Sequence, residues 1–167
     1  IKSINVFLIS LMLLSNPIMS KTISYTLENG LNVMLHQDPN APIITAKTVI
    51  GVGSIHEKDH PGSGISHYLE HLVAGGSTKL NSETTYQERI SLLGGVSNAY
   101  TTTDHTSYFI NTTEKHLKTA IETLYEWMFF CSFENKEVER EKEVITREIE
   151  KNNVNIYRKF YYYSQNN

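Results

Sequence analysis

The chain has little from which to build covalent rigidity. One cysteine, Cys131, in 167 residues excludes an intrachain disulfide, so stability must come from packing or from a bound metal. Cys131 follows the apolar run Trp127-Met128-Phe129-Phe130 and reads as a buried structural thiol rather than a reactive one. Charge of one sign is missing too. A net charge of −3 is too small to point to nucleic acid or an anionic membrane as partner. No apolar run reaches the roughly 20 residues that a bilayer-spanning helix needs. There is also no internal repeat, and no low-complexity linker precedes the last fifteen residues.

The two ends differ from the middle. Lys2 supplies a positive charge, Val6 to Leu14 is almost wholly apolar, and Ser15 to Ser20 is smaller and more polar. That layout is expected of a secretory signal peptide over residues 1–20, cleaved near Ser20 and leaving no stable membrane span. It implies export, to a periplasm or out of the cell. Residues 21–167 suffice for one domain with a core. Phe160-Tyr161-Tyr162-Tyr163 stands just before a polar stop, with nothing after it to pack against. The expectation is a domain incomplete at its C-terminus.

Periodicity between these ends predicts an α+β fold, a largely antiparallel sheet covered by helices. Ile23 to Leu27 and Leu31 to Leu35 flank the turn signal Glu28-Asn29-Gly30. Pro42 to Val52 reads as a buried strand, and Gly62 and Gly64 then open a helix that Gly75-Gly76 closes. Ser82 is a good N-cap for a helix through Leu93. Val96 to Thr103 and Thr106 to Thr112 read as strands joined at Asp104-His105. A long helix is expected from about Glu114, with Leu117, Ile121, Leu124 and Met128 at helical spacing. Another starts near Asn135 and runs past Lys151.

The most informative residues are His67-Tyr68-Leu69-Glu70-His71. The pattern H-x-x-E-H places two imidazoles and a carboxylate at i, i+3 and i+4, within roughly a 100° arc of one helix face. Two neutral imidazoles suit Zn²⁺, and a carboxylate beside them can remove a proton from water. The order inverts the commoner H-E-x-x-H and is the inverzincin signature. The plain alternative is an ordinary helix carrying two solvated histidines. A catalytic zinc needs a third protein ligand. The last helix offers Glu137, Glu139, Glu141, Glu143, Glu148 and Glu150 among Lys and Arg, and most of these read as a solvated charged face. Glu141 and Glu148, seven apart, return to one face, with Val144 and Ile145 between them marking it as partly buried. A carboxylate there needs a partner, and a metal is a suitable one.

These residues together resemble the pitrilysin/insulinase-type zinc metallopeptidases, which include the mitochondrial processing peptidases. In that family a third-ligand Glu follows the second motif histidine by about seventy-seven positions, and another important Glu stands seven before it. Here Glu148 lies 77 positions after His71, with Glu141 seven before it. Gly64-Ile65-Ser66 resembles the approach to the motif. Gly94-Gly95-Val96-Ser97-Asn98-Ala99 resembles a family strand that pairs with substrate backbone, and Thr106-Ser107-Tyr108-Phe109 continues the match. Departures are a loop at His56 to Pro61 that is one residue longer, and Val73-Ala74-Gly75-Gly76 in place of a bulky aromatic.

The resemblance, over about residues 22 to 157, implies an N-terminal peptidase domain with His67, His71 and Glu148 on Zn²⁺. It implies Glu70 as general base, Glu141 as a catalytic-site residue that orients or tunes the metal ligands, and Asn98, Ala99 and Tyr100 as the substrate-binding strand. It implies an endopeptidase acting on peptides or unfolded segments, with a second homologous half in cis or as a partner. The rival expectations are a non-catalytic binding or scaffold subunit and an inactive split-gene fragment. His56, His60 and His105 carry no assigned role; loop solvation accounts for the first two.

Overall fold

A computed structural model of the chain describes residues 19–58, 60 and 63–153. Most of the apolar leader, the loop residues Asp59, Pro61 and Gly62, and the aromatic cluster at 160–163 lie outside the described residues. The chain divides into two compact units at Pro42/Ile43. In the first, β1 (Lys21–Thr26) pairs antiparallel with β2 (Asn32–Gln37). Gly30 takes φ +86° in the connecting turn, where Leu27 N–H donates to the Leu31 carbonyl. An Asn-Gly turn is suited to that conformation.

The second unit holds β3 (Ile44–Ile50), α1 (Ile65–Val73), α2 (Glu83–Leu92), β4 (Val96–Thr101), β5 (Thr106–Thr112), α3 (Leu117–Phe130) and α4 (Asn135–Asn153). The expected element order is thus present, but the strands form two sheets rather than one. The second sheet is antiparallel with order β3-β5-β4. Consecutive hairpin strands β4 and β5 are neighbours, and β3 joins the far side of β5. As a result β4 is an edge strand of that sheet. β4 ends two residues earlier than its threonine run suggests, because Thr102 N–H turns to the His105 carbonyl and starts the hairpin.

Strand alternation sorts the two faces. Ala46, Tyr108 and Ile110 point to the helices and are buried with Val73, Tyr86, Ile90, Leu93, Ala120, Leu124 and Trp127. Lys47, Val49 and Tyr100 lie on the opposite, exposed face. α2 begins as expected, with Ser82 Oγ accepting from Thr85 N–H at 3.3 Å. A single 3₁₀ turn at Glu114–His116 delays the start of α3 to Leu117.

The buried face of α3 is Ala120, Thr123, Leu124 and Trp127. Leu117 and Ile121 are exposed, on a stripe continued by Tyr125 and Phe129. Of the residues at helical spacing, Leu124 is buried and Met128 packs against the core. A small Ala and a Thr that returns its hydroxyl to the Thr119 carbonyl let the helix approach the sheet more closely than large side chains would. Glu126 sits at the edge of this core and accepts hydrogen bonds from Tyr86, Arg89 and Asn81, which ties α2 to α3. Cys131 is half-buried, and burial pushes its thiol pKa upward, in keeping with a structural rather than a reactive role.

Ile110 is fully buried at the centre of β5, whereas Leu92 is 83% exposed. Ile110→Ala is therefore expected to cost about 2–5 kcal/mol in urea unfolding, against less than about 0.5 kcal/mol for Leu92→Ala. Equal costs would show that the core lies elsewhere.

Candidate metal centre and adjoining cleft

α1 is set by an unusual cap. Gly64 precedes the helix at φ +77°, and the nearby chain offers its carboxylate from a distance: Glu57 accepts from Gly64 N–H (3.2 Å), Ser66 N–H (3.0 Å) and Ser63 Oγ (3.3 Å). An ionised carboxylate on free N–H groups at a helix N-terminus satisfies both hydrogen bonding and the helix dipole. Burial works to raise the pKa of Glu57, but the Ser66 and Gly64 bonds outweigh it and leave the group below the usual carboxylate value. The cap orients the first turn of α1, from which His67 projects.

His67 and His71 then stand one above the other, ring centroids 4.9 Å apart and nearly perpendicular. α4 crosses this face and is fastened at three points. Tyr68 donates its hydroxyl to the Val138 carbonyl at 2.6 Å. Glu137 accepts from both the N–H and the hydroxyl of Ser77, just beyond α1. Arg140 forks onto Glu83 at the start of α2, with N···O distances of 2.8 and 3.0 Å. Among the α4 carboxylates read as solvated, Glu137 is the exception at 3% exposed. It stands four residues before Glu141, on the same face, which is the signal that could have found it.

So held, α4 delivers its two spaced glutamates to two different histidines. Glu141 Oε2 accepts from His71 Nδ1 at 3.0 Å, and its other oxygen accepts from Arg140 Nε at 2.8 Å. Burial works against ionisation of Glu141, but the His71 and Arg140 bonds outweigh it and depress its pKa. One pair of turns later, Glu148 Oε2 lies 3.7 Å from His67 Nε2. One ligand atom each from His67, His71 and Glu148 lies within 4.8 Å of the others, and this is the one such cluster among the described residues. A tetrahedral ion with bonds of about 2.0–2.2 Å keeps its donors roughly 3.4 Å apart. The nitrogen-nitrogen-oxygen set therefore fits zinc with small side-chain adjustment. Because Glu141 engages Nδ1 of His71, its Nε2 is the nitrogen left for a metal.

Glu70 turns from this cluster toward the sheet. It is buried, and its Oε2 accepts from Thr101 Oγ1 of β4 at 2.7 Å. A cleft of about 260 Å³ is lined by Glu70, His71 and Glu141 on one side and by Ser97, Asn98 and Ala99 of β4 on the other. Trp127 also lines it. Of the three expected substrate-strand residues, Asn98 and Ala99 line the cleft and Tyr100 does not. The Tyr100 ring lies on the outer face of the sheet, its hydroxyl 2.6 Å from Lys47 Nζ. Strand alternation turns the Ala99 side chain toward the helices and those of Asn98 and Tyr100 to the opposite face. Thr101, Arg140 and Glu57 escaped the sequence reading because their partners lie on other elements or, for Glu57, across a loop.

Glu57 supports a pH test. A carboxylate held below its ordinary value of 4.5 contributes stability that is present above the unfolded pKa and is lost as pH falls through the folded one. Glu57→Gln should therefore flatten the loss of stability on acidification below about pH 4.5 relative to the parent. Identical slopes in acid unfolding of the two proteins would show that Glu57 is not held ionised as the cap of α1.

Comparison with known proteins agrees with this geometry. Residues 32–160 match the family model described as Insulinase (Peptidase family M16). The chain is 33% identical over 125 residues to a Bacillus subtilis protein named as an uncharacterized zinc protease, covering 75% of this chain and 30% of that protein. It is 35% identical over 130 residues to human cytochrome b-c1 complex subunit 1, covering 78% of this chain and 26% of the subunit. The crystal structure of a protease from Helicobacter pylori superposes with a TM-score of 0.71 at 36% identity, over 77% of this chain and 31% of that one. The chain thus spans under a third of the length of each of these relatives. With the match covering most of its residues, the chain belongs to the insulinase family, peptidase family M16.

Proposed function

We propose that this chain carries the metal-binding and proton-transferring half of a zinc endopeptidase that hydrolyses peptides or unfolded segments. The observation that carries this reading is the convergence of His67 and His71 from α1 with Glu148 from α4, beside a cleft that Glu70 shares with the edge strand β4. His67, His71 and Glu148 would hold the ion. When bound, zinc supplies Lewis acidity that polarises a carbonyl and eases removal of a proton from water.

The chain's own residues do the rest. An extended peptide adds to the edge of β4 through main-chain hydrogen bonds, so recognition reads backbone shape at Asn98, Ala99 and Tyr100 more than side-chain identity. Glu70 takes a proton from the attacking water and passes it to the leaving amide nitrogen as the C–O bond forms and the C–N bond breaks. Glu141 fixes the ring of His71 and its tautomer through Nδ1. A second homologous half, in cis or as a partner, would close the cleft and exclude water. Residues 1–20 act as an export signal in this reading, with the peptidase domain beginning at about residue 21 and working in a periplasm or outside the cell.

A binding or scaffold subunit is the rival reading, favoured by the kinship with a subunit named for the cytochrome b-c1 complex rather than for proteolysis. The buried, hydrogen-bonded Glu70 weighs against it. A scaffold gains nothing from a carboxylate held beside two histidines, since burying it costs energy.

Two measurements test the proposal. Metal analysis of the purified protein should give about one zinc per chain, a stoichiometry set by one three-ligand cluster, and His71→Ala should lose most of it. Equal zinc in both would sink the ligand assignment. In the complete peptidase, Glu70→Gln should keep zinc while cutting turnover by at least about 10²-fold. Retained turnover with zinc bound would exclude Glu70 as the base, whereas a zinc-loaded parent without turnover would put the scaffold reading first.

A further inference from the structure

The hydroxyl of Thr101 is the feature that this reading leaves unused. Thr101 is the last residue of β4, and its side chain points to the helix face of the sheet. Its Oγ1 lies 2.7 Å from Glu70 Oε2 and 3.3 Å from Thr106 Oγ1, on the paired residue of β5. Thr106 in turn donates to the Val52 carbonyl at 2.8 Å. A hydroxyl has one proton to give. That of Thr106 is committed to a carbonyl that can only accept. The Thr101 proton therefore faces two acceptors, the Thr106 oxygen at 3.3 Å and the Glu70 carboxylate oxygen at 2.7 Å. The shorter bond prevails.

The geometry points to Thr101 as the positioning residue for Glu70, a role that rests on the peptidase reading above. Glu70 has three rotatable side-chain bonds, and its carboxylate would otherwise sample several orientations at the cleft wall. Thr101 fixes Oε2 against the end of β4 and leaves Oε1 as the oxygen free to meet a water proton. The same strand that receives substrate backbone thereby sets the position of the base relative to that backbone. Because Thr106 gives its proton to Val52, the Thr101 hydroxyl is left as the donor of the pair. Thr101 itself touches neither metal nor substrate in this arrangement, so its effect runs through Glu70 alone.

Removing the anchor while keeping the shape separates this role from packing. Thr101→Val replaces the hydroxyl with a methyl group, and Thr101→Ser keeps the hydroxyl while dropping the methyl. In the complete zinc-loaded peptidase, Thr101→Val should lower kcat by about 10- to 100-fold with KM changed less than about 2-fold, because a displaced base weakens the chemical step and not binding. Thr101→Ser should stay within about 3-fold of the parent in kcat, since it keeps the donor. In a Glu70→Gln background, Thr101→Val should add almost nothing. A Thr101→Ser variant as slow as Thr101→Val, or a Thr101→Val kcat equal to the parent's, would overturn the role.

A second readout needs no turnover. In the present chain, the Cγ methylene protons of Glu70, identified by their displacement in Glu70→Gln, should give two separate NMR shifts in the parent and in Thr101→Ser. In Thr101→Val they should merge as the side chain averages between rotamers. Unchanged, separate shifts in Thr101→Val would overturn the anchoring directly. If Glu70→Gln retains turnover while these shifts merge, the general-base role of Glu70 fails and the anchor stands. If Glu70→Gln abolishes turnover and the shifts do not change, the anchor alone fails.

Discussion

The site depends on one contact, the crossing of α4 over α1. Neither helix holds a metal centre alone: α1 carries two imidazoles and α4 a carboxylate. What brings them together is a set of directional polar bonds, from the buried Glu137–Ser77 pair to the exposed Arg140–Glu83 fork. Glu137 on Ser77, Tyr68 on the Val138 carbonyl and the Arg140 fork on Glu83 all lie at the N-terminal end of α4. Directional bonds of this kind fix rotation about the helix axis as well as distance. A rotation of one residue, about 100°, would carry Glu141 and Glu148 off the histidines together.

The same arrangement explains why so acidic a helix can lie inward. A buried carboxylate without partners costs several kcal/mol. Each inward glutamate of α4 instead has a designated donor or a metal position: Ser77 for Glu137, His71 and Arg140 for Glu141, His67 with the candidate ion for Glu148. Arg140 serves two helices at once, since its guanidinium reaches Glu83 and Glu141 together. The planar fork of arginine makes that geometry available where lysine could not. Electrostatic neutralisation and helix docking are thus the same set of contacts.

How much of this was legible in the sequence follows from what is local. H-x-x-E-H and the seven-residue spacing of Glu141 and Glu148 are helical periodicities, so the cluster could be read from residue spacing and family likeness. The element order and hairpins were legible for the same reason, with turn residues such as Asn29-Gly30 marking them. The buried face of α3 was not, because Ala120 and Thr123 win their places by allowing close approach and not by being apolar. Glu137 was misjudged as solvated because its donor, Ser77, lies 60 positions away. Glu57 and Thr101 belong to the same class: a polar side chain whose partner is on another element carries no periodic signature.

In the function proposed above, one element, the edge strand β4, meets two requirements of hydrolysis. Alternation gives it two faces and an edge. Its unpaired edge offers main-chain groups at Asn98 and Ala99 to an extended chain, and such an edge is ordinarily a hazard for unwanted pairing. Its inner face places Thr101 on the carboxylate of Glu70. Its outer face gives Tyr100 to Lys47 on β3, a bond that crosses the sheet and braces the edge against slipping. A shift of β4 by one residue would turn Thr101 outward and Tyr100 onto the helices. In the function proposed above, the register of β4 on β5 therefore governs both where a substrate backbone would lie and where the Glu70 carboxylate beside it points, and neither can be adjusted without the other.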